Sequence, residues 1–125
     1  MKDIPGAQHI IPLEYISHYT PFDGGGSIYI MEKTGIAMAR IYWYDDTPDI
    51  IYLCALSVNI DQRHKKIGTQ LQEIRERIGR MFGAKFSKLW VTQDSWMMEW
   101  YIRRGYKMDS IFEDEIDTIW MIKDL

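Results

Sequence analysis

Asp49 to Val58 is an almost unbroken apolar run of strand length, and after the turn Asn59 to Lys66 the chain continues with Ile67, Leu71, Ile74, Ile78 and Met81. These five recur at alternating steps of four and three, which puts them in one stripe along an α-helix. Glu73/Arg77 and Glu76/Arg80 are spaced to pair on its outer face. Gly83, just past the last periodic residue, suits a left-handed C-terminal cap. A second short apolar run follows, Lys88 to Thr92 with Leu89-Trp90-Val91 at its centre. Two such strands joined by a helical crossover lie parallel, so residues 49 to 92 read as a βαβ unit. The lack of polar alternation in the first strand predicts a position in mid-sheet, covered on both faces.

The flanks are read by weaker signals. His9-Ile10-Ile11 reads as a short strand, and Leu13 to Tyr19, after Pro12, as a helical turn or two. Gly24-Gly25-Gly26 breaks the chain. Ser27 to Lys33 and Ile36 to Tyr44 are rich in β-formers and flank Thr34-Gly35, a hairpin turn, so with Asp49 to Val58 they predict a three-strand meander. Beyond the βαβ unit, Asp94 or Ser95 can cap a helix running to Arg104 and stopped by Gly105. Tyr106 to Met108 and Asp117 to Lys123 complete the chain as a strand pair around an acidic loop.

A length of 125 residues, 46% hydrophobic and 26% charged, fits one domain spanning residues 1–125 around one core. The apolar runs are too short to span a bilayer. Met1 to Gly6 lacks the apolar core and cleavage site of a secretion signal, so the expected location is cytoplasmic. Cys54 is the sole cysteine, which excludes an internal disulfide and a cysteine-rich metal site; no metal is expected. The net charge of −3 is uneven, with a basic cluster at Arg63, His64, Lys65 and Lys66 and an acidic one at Glu113, Asp114, Glu115 and Asp117. Nucleic-acid binders carry a wider basic face, so a nucleic-acid partner is not expected and one small polyanion is the better match for the basic cluster.

That cluster opens the helix. The first N–H groups of a helix lack intrahelical acceptors and carry the positive end of its dipole, which together favour a phosphate. Gly68 in the first turn lets a ligand approach the backbone. A solvated basic turn is the plain alternative.

Arg63-His64-Lys65-Lys66-Ile67-Gly68, preceded by the strand end Leu56-Ser57-Val58, resembles the signature of the GNAT superfamily of acyl-CoA-dependent N-acyltransferases: Arg or Gln, two residues, Gly, one residue, Gly or Ala. Lys66 stands where the family has its first glycine. Asp94 to Tyr106 resembles a later family segment, in which an asparagine opens a helix, a tyrosine lies inside it and a glycine-aromatic pair closes it. Tyr101, Gly105 and Tyr106 match, and Asp94 replaces the asparagine. The resemblance covers about residues 27 to 123. Family members place a strand and two helices before the meander, for which 26 residues leave no room; an open cleft, or a wall borrowed from a second copy in a homodimer, would follow.

The resemblance implies an α/β fold (α+β in some schemes): a mixed, mostly antiparallel sheet with a central parallel pair joined by a helix, and helices on both faces. It implies acetyl-CoA as acyl donor, bound by Leu56, Ser57, Val58, Arg63, His64, Lys65, Lys66, Ile67, Gly68, Thr69 and Asp94. In the family the parallel strands splay apart, a backbone N–H near Leu56 polarises the thioester carbonyl, and Tyr101 matches the acid that protonates the departing thiolate. The implied activity is transfer of an acetyl group to a primary amine by direct attack, the acceptor being a small molecule or a protein lysine or N-terminus, of cationic character if the acidic loop borders it. A deprotonating base is needed because alkyl amines have pKa ~10; Asp94, Asp49 and Glu32 are the candidates, although Asp94 also reads as a helix cap. A core tyrosine is the plain reading of Tyr101, and a core thiol that of Cys54. The competing class is a non-catalytic module that senses CoA or binds protein.

Overall fold

The computed structural model describes residues 11–61, 66–111 and 117–125. Four strands open it as an antiparallel meander: β1 (Tyr15–Phe22), β2 (Gly25–Glu32), β3 (Ala37–Tyr44) and β4 (Ile50–Val58). Helix α1 (Ile67–Met81) crosses to β5 (Phe86–Thr92), which runs parallel to β4 as the strand-helix-strand pattern predicts. Helix α2 (Trp96–Ile102), β6 (Lys107–Ile111) and β7 (Thr118–Asp124) follow. The seven strands form one sheet in the order β1-β2-β3-β4-β5-β7-β6, so the last strand inserts between β5 and β6.

The predicted helical turns at Leu13 to Tyr19 are instead the beginning of β1. A single turn closes there, with the Tyr15 N–H donating to the Pro12 carbonyl, and the aromatic and β-branched residues beyond it pair with β2. Pro21 is tolerated because β1 is an edge strand. The predicted strand at residues 9 to 11 falls mostly outside the described residues. Gly25 and Gly26, read as a break, are the first residues of β2: a Cβ on Gly25 would come within 2.1 Å of the Trp43 carbonyl, so glycine is required by the neighbouring strand.

One face of the sheet is the core. Ile28, Ile30, Ala39, Ile41, Ile51, Leu53, Leu89, Val91, Ile119 and Met121 are buried against Leu71, Ile74 and Ile78 of α1, each large side chain contributing about 1.5–3 kcal/mol. Helix α1 ends in a Schellman motif at Gly83 (φ 84°), whose N–H donates to Arg80 while that of Ala84 reaches Gly79. Helix α2 packs on the same face: its Tyr101 meets Arg75 of α1 and Tyr106, whose hydroxyl lies 2.7 Å from Ser87 of β5. The expected helical cover is therefore present on one face only among the described residues. On the other face Tyr42 stacks on Tyr52, Tyr52 meets Trp120 edge-on and Lys88 lies over Trp120, so aromatic side chains give β4 its cover there.

Candidate active site

The parallel pair β4–β5 is matched only over Ile50–Tyr52 and Phe86–Lys88. Beyond that β4 stays with β3 as far as Val58 and β5 stays with β7 as far as Thr92, so the two diverge into a V. The register of β3 and β4 slips in the same stretch: Arg40 faces Cys54, but Met38 faces Ser57. One extra residue of β4 is accommodated by a bulge, and Ala55 takes a left-handed φ of 55°. A bulge interrupts the ladder and frees peptide groups of β4 for a ligand.

Two adjoining clefts occupy the V. The first, about 390 Å³, is lined by residues 53 to 56, residues 89 to 92, Ser95, Trp96, Met97 and Tyr101. The second, about 370 Å³, runs past Leu56, Ser57 and Val58 to Gly68 at the start of α1, under Trp96, Met97 and Trp100. Leu56, Trp96 and Met97 border both, so the groove leads from the strand gap to the helix N-terminus.

Ala55, Lys66 and Asp94 are the non-glycine residues with positive φ among the described ones, and each lies on or next to this groove. Left-handed backbone at a residue with a Cβ costs about 1–2 kcal/mol and gathers at functional sites. At Lys66 (φ 61°, ψ 19°) it explains the signature glycine: the position before the first helical residue needs this conformation, and Lys66 adopts it without a side-chain cap bond. Lys66→Gly is expected to raise stability by about 1 kcal/mol in urea denaturation, the relief of strain outweighing the extra chain entropy of glycine.

The predicted donor-binding residues do not all reach the groove. Leu56, Ser57, Val58 and Gly68 line the groove; Ile67 packs against the core; Thr69 accepts a hydrogen bond from Arg104 Nη2 at 2.9 Å. Arg63, His64 and Lys65 lie outside the described residues. Asp94 is not the helix cap. Ser95 is, its hydroxyl accepting from the Met98 N–H and donating to the Thr92 carbonyl, while exposed Asp94 makes the left-handed turn before it.

Tyr101 is 4% exposed and its hydroxyl sits 3.0 Å from Arg75 Nη2. Burial pushes the Cys54 thiol up, against the pull of Arg40 and Arg75, which fits a structural thiol rather than a nucleophile. Two base candidates are displaced. Asp49 pairs with Lys85 at the far end of β4, and Glu32, at the end of β2, is held below the usual carboxylate range by the Thr34 hydroxyl and N–H.

Glu76, predicted on the outer face with Arg80, is 6% exposed and faces inward, although Arg80 still reaches it at 3.5 Å. It accepts from Gln72 Nε2 at 2.7 Å, from Tyr106 at 3.2 Å and from Lys123 Nζ at 2.8 Å. Gln72 Oε1 in turn accepts from Arg75. Sequence reading missed this network; its signal is the polar residues Gln72, Arg75 and Glu76 set among Leu71, Ile74 and Ile78 at helical spacing. It also missed Arg104, which stacks over Trp100 at 3.5 Å beside the first turn of α1.

No family model matches the chain, and no curated protein does. Solved structures match well. A proposed acyl-CoA N-acyltransferase from Klebsiella pneumoniae subsp. pneumoniae MGH 78578 superposes with a TM-score of 0.67 at 16% identity, covering 97% of this chain and 83% of the other. Nourseothricin acetyltransferase matches with 0.67 at 13% identity over 99% and 96%. A GNAT family acetyltransferase from Elizabethkingia anophelis with acetyl-CoA bound gives 0.65 at 13% identity over 91% and 100%. The chain has the GNAT fold: a mixed, mostly antiparallel sheet whose parallel pair is joined by a helix and parts at its end.

Proposed function

We propose that this chain is an acetyl-CoA-dependent N-acetyltransferase acting on a primary amine. The observation that carries the reading is the parting of β4 from β5 above Tyr52 and Lys88, with Tyr101 on the wall of the resulting cleft. The second cleft suits the donor: apolar walls for an extended chain, and at its end a helix N-terminus where a methyl on Gly68 would only touch Trp100 and Val58 at 3.7 Å. The α1 N-terminus, with Arg63, His64, Lys65 and Lys66, would hold the pyrophosphate, and Leu56, Ser57 and Val58 would face the pantetheine arm. A backbone N–H of the β4 bulge would polarise the thioester carbonyl, an effect of about 3 kcal/mol in comparable sites. The amine then attacks directly, its proton leaving through Asp94 or water, and Tyr101 protonates the departing thiolate. Support for a cationic acceptor rests on the acidic stretch Glu113 to Asp117, of which only Asp117 is among the described residues.

Calorimetric titration with acetyl-CoA tests the donor site. Micromolar binding is expected, weakened at least tenfold in Gly68→Glu, whose bulk and negative charge enter the cleft at the proposed pyrophosphate position. Intact folded protein that binds no acetyl-CoA would refute the reading. Binding without turnover of spermidine, kanamycin or a lysine-containing peptide would favour the non-catalytic module.

A further inference from the structure

We propose that Arg75 is a positioning residue that holds the carbonyl-polarising bulge and the acid hydroxyl in one frame; the inference rests on the acetyltransferase reading. Arg75 is the largest side chain in the protein that is fully buried among the described residues, at 0% exposure. Its Nη1 donates to the carbonyls of Cys54 (3.3 Å) and Arg40 (3.5 Å), and its Nη2 to Tyr101 Oη (3.0 Å) and Gln72 Oε1. Cys54 and Arg40 are the last matched pair before the extra residue of β4. The Cys54 carbonyl and the Ala55 N–H share one planar peptide, so fixing the first orients the second at the start of the bulge. The same guanidinium thus anchors both catalytic features of the cleft.

The direction of the hydrogen bonds matters. A guanidinium only donates, so Tyr101 Oη accepts from Arg75 and keeps its own proton for another acceptor. Once that proton moves to the thiolate, the negative charge left on Tyr101 lies 3.0 Å from a cation, and the buried bond becomes charge-assisted. The cation is unbalanced at close range. Among the described residues Arg75 has no carboxylate in direct contact: Glu76 is reached only through Gln72, and Arg75 Nε has no hydrogen-bond partner. Burying such a cation is costly for stability, and a charge that develops during the reaction gives it a role that packing does not.

The test measures CoA release from acetyl-CoA, with spermidine, kanamycin or a lysine-containing peptide and without amine, in Arg75→Gln, Arg75→Lys, Tyr101→Phe and the Gln/Phe double variant, alongside calorimetric acetyl-CoA affinity. The expected result is a fall in kcat of about tenfold or more in Arg75→Gln with acetyl-CoA affinity within about twofold, partial recovery in Arg75→Lys, and a double variant little slower than Tyr101→Phe alone. Should Arg75→Gln not fold, Arg75→Lys singly and with Tyr101→Phe provides the same cycle. Effects of the two sites that multiply independently, or a loss of affinity as large as the loss of kcat, would overturn the proposal and leave Arg75 a packing residue. A wild-type protein that binds acetyl-CoA but never releases CoA would instead refute the acetyltransferase reading, and Arg75's role with it.

Discussion

Tyr101→Phe is expected to lower kcat by about tenfold to a thousandfold while acetyl-CoA affinity stays within about twofold. The substitution removes one oxygen and keeps the ring that packs edge-on against Trp100 and Tyr106, so α2 retains its place. The lost group is the hydroxyl of a residue that lines the cleft. The range sits below the roughly hundredfold to ten-thousandfold typical of a placed proton donor because a thiol of pKa ~8.5 leaves tolerably well unaided. Affinity is spared because the proposed donor contacts lie along Leu56 to Val58 and the start of α1. Steady-state kinetics with calorimetry separates the two parameters. An unchanged kcat would remove Tyr101 from the chemistry.

Glu76→Ala is expected to cost about 3–5 kcal/mol, read from urea or thermal unfolding. Its carboxylate accepts from Gln72, Tyr106 and Lys123 at once, with Arg80 close by. Truncation removes one buried hydrogen bond each from Gln72 Nε2 and the Tyr106 hydroxyl, which keep each other at 2.9 Å and Ser87 at 2.7 Å, and leaves Lys123, three-quarters buried at its side chain, without its carboxylate. Glu76→Gln keeps the volume and one acceptor, and should cost less. A loss under about 1 kcal/mol in Glu76→Ala would mean that water replaces the carboxylate and that the network is not a structural centre.

The strongest sequence signals were local. The stripe from Ile67 to Met81 and the cap at Gly83 appear as read, because period and cap are properties of a few successive residues. The β4–α1–β5 crossover followed from them by chain geometry. The error at Leu13 to Tyr19 came from weighing Pro12 as a helix start; the competing term, a free edge of β2 waiting for hydrogen bonds, belongs to residues further along the chain, from Ile28 to Glu32. The choice of Ser95 over Asp94 as cap turned on backbone direction, since Asp94 lies in the left-handed region and Ser95 is extended. Lys66 departs from the family's glycine in side chain but keeps the backbone angle that glycine serves.

By itself the sequence determined the order of the elements from β2 onward, the length of the central helix and the parallel pair around it, because each is set by residues within one or two turns or by a single crossover. The tertiary structure alone decided the insertion of β7 between β5 and β6, the bulge at Ala55, the placement of both helices on one face and the convergence of Arg75, Cys54 and Tyr101. Those three residues are separated by 21 and 26 positions in the chain. Their meeting depends on the balance of burial, pairing and hydrogen-bond satisfaction across the whole sheet, which no local pattern encodes.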